Sequence, residues 1–330
     1  MKRIIALILI MLLCFGNLSA CYTPESSTSD ERVKIRVGYM TGPTGMGMAK
    51  LIADNGGLEN RNEYYSFTKY TDTNAAKADL AVGKIDIICL PTNEAAAYRS
   101  KLDESAVVLA VNCLNSLYYI SSEGDEVDSL SDLEGQTIYT CKNGTPRIIL
   151  EYILAAAGIN ATVSCSVDGK EMLTPQDLSA QAIAGNIPNA VMPEPLVTST
   201  VLNAKASSVF YSVKIDMGEE WNAICDTPLT MGCVIASGAF VAESKASVDL
   251  FLEEYKASVE FISNSANLDS AAEYVVNMGV MGAVPAAKMA LKNLGNSICY
   301  MDGEDMKAAL TAFYNAMGIN PPEEEFYYEK

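Results

Sequence analysis

The 330-residue chain contains no histidine. That absence removes Ser-His-Asp and Cys-His catalysis, HExxH zinc chemistry and any imidazole base. None of its nine cysteines stands in a CxxC spacing, so neither a zinc ribbon nor a redox motif is present. Positive charge is scarce: 23 Lys and Arg face 41 Asp and Glu, a formal charge of −18. Nucleic acid and anionic membrane faces both need clustered cations, so neither is an expected partner. These absences point away from chemistry. The chain is expected not to be an enzyme, and to use no cofactor and no metal. The Met40, Met46 and Met48 cluster reads as core packing rather than a soft-metal site.

What is present begins with Lys2 and Arg3, then an apolar run at residues 4–15 that is too short to span a bilayer. Leu18-Ser19-Ala20-Cys21 follows and resembles a bacterial lipobox. Residues 1–20 are expected to be a cleaved export signal, and Cys21 to accept diacylglycerol. Residues 21–32, rich in Ser, Thr, Pro and acid, read as a tether. The remainder would then be extracytoplasmic and anchored to a bacterial membrane through Cys21. Seven cysteines remain (Cys89, Cys113, Cys141, Cys165, Cys225, Cys233, Cys299); seven cannot all pair, and most sit in apolar runs that suit small buried hydrophobes.

From residue 33 onward, strand and helix patterns alternate, which means an α/β fold with an open parallel sheet. Strands are predicted at 33–39, 64–70, 85–90, 107–111, 117–120, 137–140, within 206–215, and at 231–235. Helices are predicted at 46–54, 73–82, 94–100, 146–157, 248–262, 271–278, 286–294 and 304–317. Trp221 is placed in a loop. The glycine-rich turn at residues 41–47 sits between a strand and a helix, where open α/β sheets bind small molecules. The pattern then echoes itself. Thr41-Gly42-Pro43-Thr44, a helix and Gly57 match Lys142-Asn143-Gly144-Thr145, a helix and Gly158. Gly83-Lys84-Ile85 and Pro91 match Gly185-Asn186-Ile187 and Pro193. Two turns matched in the same order suggest two similar lobes.

Several stretches carry a resemblance in their order and spacing: residues 37–45, Gly83-Lys84-Ile85-Asp86, Leu90-Pro91-Thr92-Asn93, residues 131–138, Met192-Pro193-Glu194-Pro195 and residues 322–328. Together they resemble the lipoprotein solute-binding components of bacterial ABC importers, in the branch that includes nitrate, sulfonate, taurine and thiamine-precursor binders. The resemblance implies a periplasmic-binding-protein type II fold, with two Rossmann-like lobes around a ligand cleft. Residues 33–120 with 231–330 would form the first lobe, and residues 121–230 the second. Two hinge crossings would lie near 121–122 and 230–231.

The resemblance further implies that strand-to-helix turns line the cleft. The first lobe would supply Tyr39, Thr41, Gly42, Thr44, Gly45, Thr92, Asn93, Asn112 and Asn115. The second would supply Asn143, Gly144, Thr145 and Glu194, with Trp221 closing one side. Each has a plainer role open to it. Asn93 and Thr145 suit helix caps, Asn112 and Asn115 suit solvated loops, Trp221 suits core packing, and Glu194 suits a surface loop. Hydroxyls, amides and Glu194 favour a neutral or weakly basic heterocycle such as a thiamine-type pyrimidine. Lys142 with two helix N-termini would favour a sulfonate or similar anion next. The implied partners are that solute and membrane permease subunits, with the protein a monomer. The alternatives are a ligand-binding sensor lipoprotein or a pyrimidine-synthesis-type enzyme of the same fold, the latter weakened by the missing histidine.

Overall fold

The computed structural model describes residues 32–59 and 62–330. The expected signal, Cys21 and the tether up to residue 31 lie outside the described residues. The chain begins with β1 (Ile35–Met40), the short helices α1 (Pro43–Met46) and α2 (Ala49–Asp54), and β2 (Tyr65–Tyr70). It continues through α3 (Thr73–Ala81), β3 (Ile87–Pro91), α4 (Thr92–Lys101) and β4 (Val107–Leu114). β1 lies parallel to both β2 and β3. β3 and β4 are buried almost throughout, as strands covered on both faces must be.

β5 (Leu117–Ser122) leaves this sheet. After it come β6 (Thr137–Tyr139), α5 (Thr145–Ala157), β7 (Thr162–Ser164), the hairpin strands β8 (Ser166–Val167) and β9 (Lys170–Glu171), and α6 (Pro175–Ile183). Next are β10 (Asn189–Pro193), α7 (Leu196–Ala206), β11 (Tyr211–Asp216) and α8 (Met217–Cys225). The chain then returns as β12 (Thr230–Ala236), α9 (Gly238–Ser263), α10 (Leu268–Asn277), α11 (Val284–Leu294), β13 (Ile298–Met301) and α12 (Gly303–Ala316).

Six strands form the first sheet, in the order β13-β4-β12-β3-β1-β2. It is mixed, which corrects the expected parallel sheet. β12 runs antiparallel to β3 and β4, and β13 antiparallel to β4. β12 enters without a helical crossover, and an antiparallel neighbour needs none. The second sheet has the order β10-β5-β11, with β5 central and antiparallel to both. Residues 117–120 therefore pair within the second sheet, and the chain leaves the first sheet after Leu114. Leu117, Tyr119 and Ile120 are fully buried, and a strand buried on both faces pairs at both edges. β6 and β7 form a parallel pair. The Asn189 side chain joins them to the second sheet, donating to Thr137 O at 3.0 Å and accepting from Tyr139 N at 3.2 Å.

One apolar cluster runs through both sheets. It includes Leu90, Val108 and Cys233 of the first, Val191 of the second, and Trp221 with Phe313. The C-terminal aromatics pack onto the core: Phe326 is fully buried, and Tyr328 N donates to Val108 O at 2.9 Å. Cys89, Cys113, Cys141 and Cys233 are buried free thiols, while Cys165, Cys225 and Cys299 are half-buried.

Candidate functional site

Two strand-to-helix turns face one cleft of about 920 Å³. Met40 to Thr44 and Thr71 to Asn74 line it from the first sheet, together with Pro91, Glu94 and Met231. Asn143 to Pro146, Leu173 to Gln176 and Pro193 line it from the elements around the second. The internal echo is thus spatial, since both matched turns and both matched prolines, Pro91 and Pro193, meet across the same space.

Local bonding explains why each turn holds its shape. In the first, Thr41 N donates to Tyr70 O at 3.0 Å and Gly45 N to Gly42 O at 3.0 Å. Behind it, the Asn112 amide donates to Thr44 O at 2.9 Å and to the Tyr255 hydroxyl at 3.0 Å. In the second, Lys142 N donates to Met172 O at 2.7 Å and Asn143 N to Leu173 O at 3.2 Å. Gly144, at φ 105, then turns the chain into α5. The Thr145 hydroxyl donates to the Asn93 side-chain oxygen at 2.7 Å, a direct bond between the two sides.

Six of the expected residues line the cleft: Thr41, Gly42, Thr44, Asn143, Gly144 and Thr145. The others sit elsewhere. Tyr39 is fully buried behind the first turn, its hydroxyl donates to Met278 O at 2.8 Å, and burial pushes its pKa up to about 12. Gly45 packs inward, with no room for a Cβ beside Met40 O. Thr92 is fully buried, and its carbonyl accepts from Tyr314 at 3.1 Å. Asn93 borders a neighbouring groove of about 650 Å³ and reaches the cleft through Thr145. Asn112 is a buried brace, not a loop residue.

Asn115 stitches the two chain crossings together. Its N–H donates to Leu229 O and its side-chain oxygen accepts from Leu229 N, each at 3.0 Å. Trp221 is not in a loop. It lies in α8, fully buried, between Tyr152 at 5.0 Å and Phe313 at 5.7 Å. Asp216 caps that helix by accepting from Gly218 N at 2.8 Å, a start signal the sequence carried. Lys142 pairs with Glu171 on the exposed surface instead of facing the cleft, and Arg147 pairs with Glu151 at 2.7 Å.

Glu194 is the largest departure. Only 1 % exposed, it accepts from the Thr198 hydroxyl at 2.8 Å, Thr198 N at 3.1 Å and the Asn293 amide at 2.9 Å. It joins α7 to α11 and does not line the cleft. Burial raises its carboxyl above the ordinary 4.5, and the bonds from Asn293 and Thr198 offset this in part. The folded state therefore holds this proton more tightly than the unfolded chain. Its contribution to stability is full below pH 4.5 and is lost as pH rises through the raised value. In urea titrations across that window, Glu194→Gln is expected to remove this downward slope. Parallel pH profiles for wild type and variant would contradict it. Any constant offset from the new amide is independent of pH and does not enter the comparison.

Sequence reasoning missed the α3 and α6 contributions, above all Thr73, Asn74, Lys77 and Gln176. The Thr174-Pro175-Gln176-Asp177 capping box was the available signal for α6. Nothing in the sequence distinguished Lys77 from a solvated helix lysine.

Known structures share this fold. The chain has the fold of periplasmic binding proteins. It superposes on an ABC transporter from Parabacteroides distasonis with TM-score 0.68 and 16% identity, covering 90% of this chain and 99% of that one. The periplasmic aliphatic sulphonate binding protein SsuA from Escherichia coli gives 0.67 and 16%, covering 91% and 93%. The periplasmic nitrate-binding protein NrtA from Synechocystis gives 0.60 and 13%, covering 87% and 81%. No protein-family model matches the sequence, and the comparison with curated proteins found no match.

Proposed function

We propose that this protein is the extracytoplasmic solute-binding component of an ABC importer, a monomer held to the membrane through Cys21. It captures a small organic solute between two lobes and presents it to a permease. The division into lobes follows the two sheets, with the crossings at Asn115 and Leu229 as the hinge. The observation that carries this reading is the shared cleft, walled by strand-to-helix turns from the first sheet and from the elements around the second. Its volume of about 920 Å³ suits an organic molecule, since small-molecule sites span about 300–1,000 Å³. The sulphonate- and nitrate-binding proteins of the same fold agree with it.

For the solute, the weight moves from the pyrimidine expectation to an organic molecule that carries a sulfonate or carboxylate group. Glu194, the carboxylate meant for a heterocycle, is committed to Thr198 and Asn293. α4 and α5 both begin beside the cleft and neither start carries a side-chain cap, which suits an acid group on the solute.

A thermal-shift panel of sulfonates, carboxylates, pyrimidines, nitrate, polyamines and amino acids tests the reading. A true solute at one hundred times its Kd is expected to stabilise the fold by about 2.7 kcal/mol. A panel with no response, or with response to metal ions alone, would contradict solute capture.

A further inference from the structure

Among the described residues that line the cleft, four are charged: Asp72, Lys77, Glu94 and Lys101. Asp72 is engaged at the start of α3, where its carboxylate accepts from Ala75 N at 2.8 Å. Lys101 stands exposed at the rim. The charge presented to a solute therefore comes from Lys77 on α3 and Glu94 on α4, which form an ion pair with each other. Both side chains are largely withdrawn from water, at 13% and 26% exposure.

This pair is not saturated. An ammonium carries three donors and Glu94 takes one; a carboxylate offers about four lone-pair sites and Lys77 takes one. A solute bearing a single charge meets attraction from one member and repulsion from the other a few ångströms away, and the two nearly cancel. A solute bearing both charges gains at both ends. Its anionic group adds to Lys77 and its ammonium adds to Glu94, without breaking the pair.

The geometry points to Lys77 and Glu94 as the residues that set specificity, selecting an organic solute that is a zwitterion with separated amino and acid groups. This rests on solute capture in the cleft and names the class of molecule captured there. The anionic end also meets the uncapped starts of α4 and α5.

The test uses the full chain and two matched series in isothermal titration. One series is 3-aminopropanoate, 4-aminobutanoate and 5-aminopentanoate. The other is butanoate, pentanoate and hexanoate, in which methyl replaces ammonium. At least one amino acid is expected to bind about tenfold or more tighter than its methyl counterpart, the value of one charge-assisted hydrogen bond. Glu94→Gln abolishes that preference and leaves the carboxylates bound equally or more tightly. Lys77→Met weakens both series. The double variant, with both charges of the pair removed so that neither is left unpaired, controls for folding and shows no preference. A preference that survives Glu94→Gln overturns the proposal, as does equal binding of the two series or binding by neither. A response to some other compound in the panel, unchanged by Glu94→Gln, overturns the charge selection while solute capture stands.

Discussion

Trp221→Ala is expected to lower the unfolding free energy by about 3–5 kcal/mol, the usual cost of emptying a large aromatic site. The readout is the urea midpoint at constant m-value. Trp221 is fully buried and lies within ring-stacking distance of Tyr152 on α5 and Phe313 on α12. α5 belongs to the elements around the second sheet, and α12 packs on the first. The indole thus contacts rings from helices packed around both sheets. Its Nε1 has no acceptor, so hydrogen bonding adds nothing to its value there. Trp221→Phe keeps a ring and deletes the orphaned N–H, so it leaves a smaller cavity and its cost is expected to be clearly below that of alanine. A small loss with alanine, or equal losses for both, would show that the contact between the halves rests on other side chains.

Gly232→Ala is expected to damage the cleft from beneath. A Cβ at this position would lie 2.1 Å from Thr44 Cγ2 and 2.8 Å from Asn112 Oδ1. Thr44 lines the cleft, and Asn112 holds its carbonyl. The new methyl must displace one of them. Overpacking of this kind costs about 1–3 kcal/mol, and here the strain falls on the turn that lines the cleft. The expected result is a loss of solute affinity by about tenfold or more together with the stability loss, since one displaced hydrogen-bonding group is worth about that much. Thr44→Ala added to Gly232→Ala makes room and is expected to recover stability without recovering affinity. Stability loss with unchanged affinity would place Thr44 outside the binding surface.

The turns were legible because their chemistry is local. Gly42-Pro43-Thr44 and Gly144-Thr145-Pro146 carry the residues that a strand-to-helix entry requires, and both proved to face the cleft. α7 was not legible: Leu196 to Ala206 is rich in Val and Thr, which favour strands. What supports that helix is Glu194 accepting from Thr198 N, together with Asn293 from far along the chain. The same long-range bond drew Glu194 away from the site. Asn112 and Asn115 were placed near the cleft and have other duties, because loop and brace roles use the same residue types. The Lys77–Glu94 pair joins two separate helices, a proximity that no local pattern encodes.

Asn115 carries a mechanical consequence. Its backbone sits at φ 45, a conformation asparagine tolerates, and it holds Leu229 by two bonds while Ser297 donates to its carbonyl at 3.4 Å. The two strands of chain that pass between the halves are therefore sewn into a single seam. In the proposed movement of the lobes, the halves would turn about that seam like covers about a spine. One asparagine, through its backbone N–H and its side-chain oxygen, would then mark the axis along which the mouth opens.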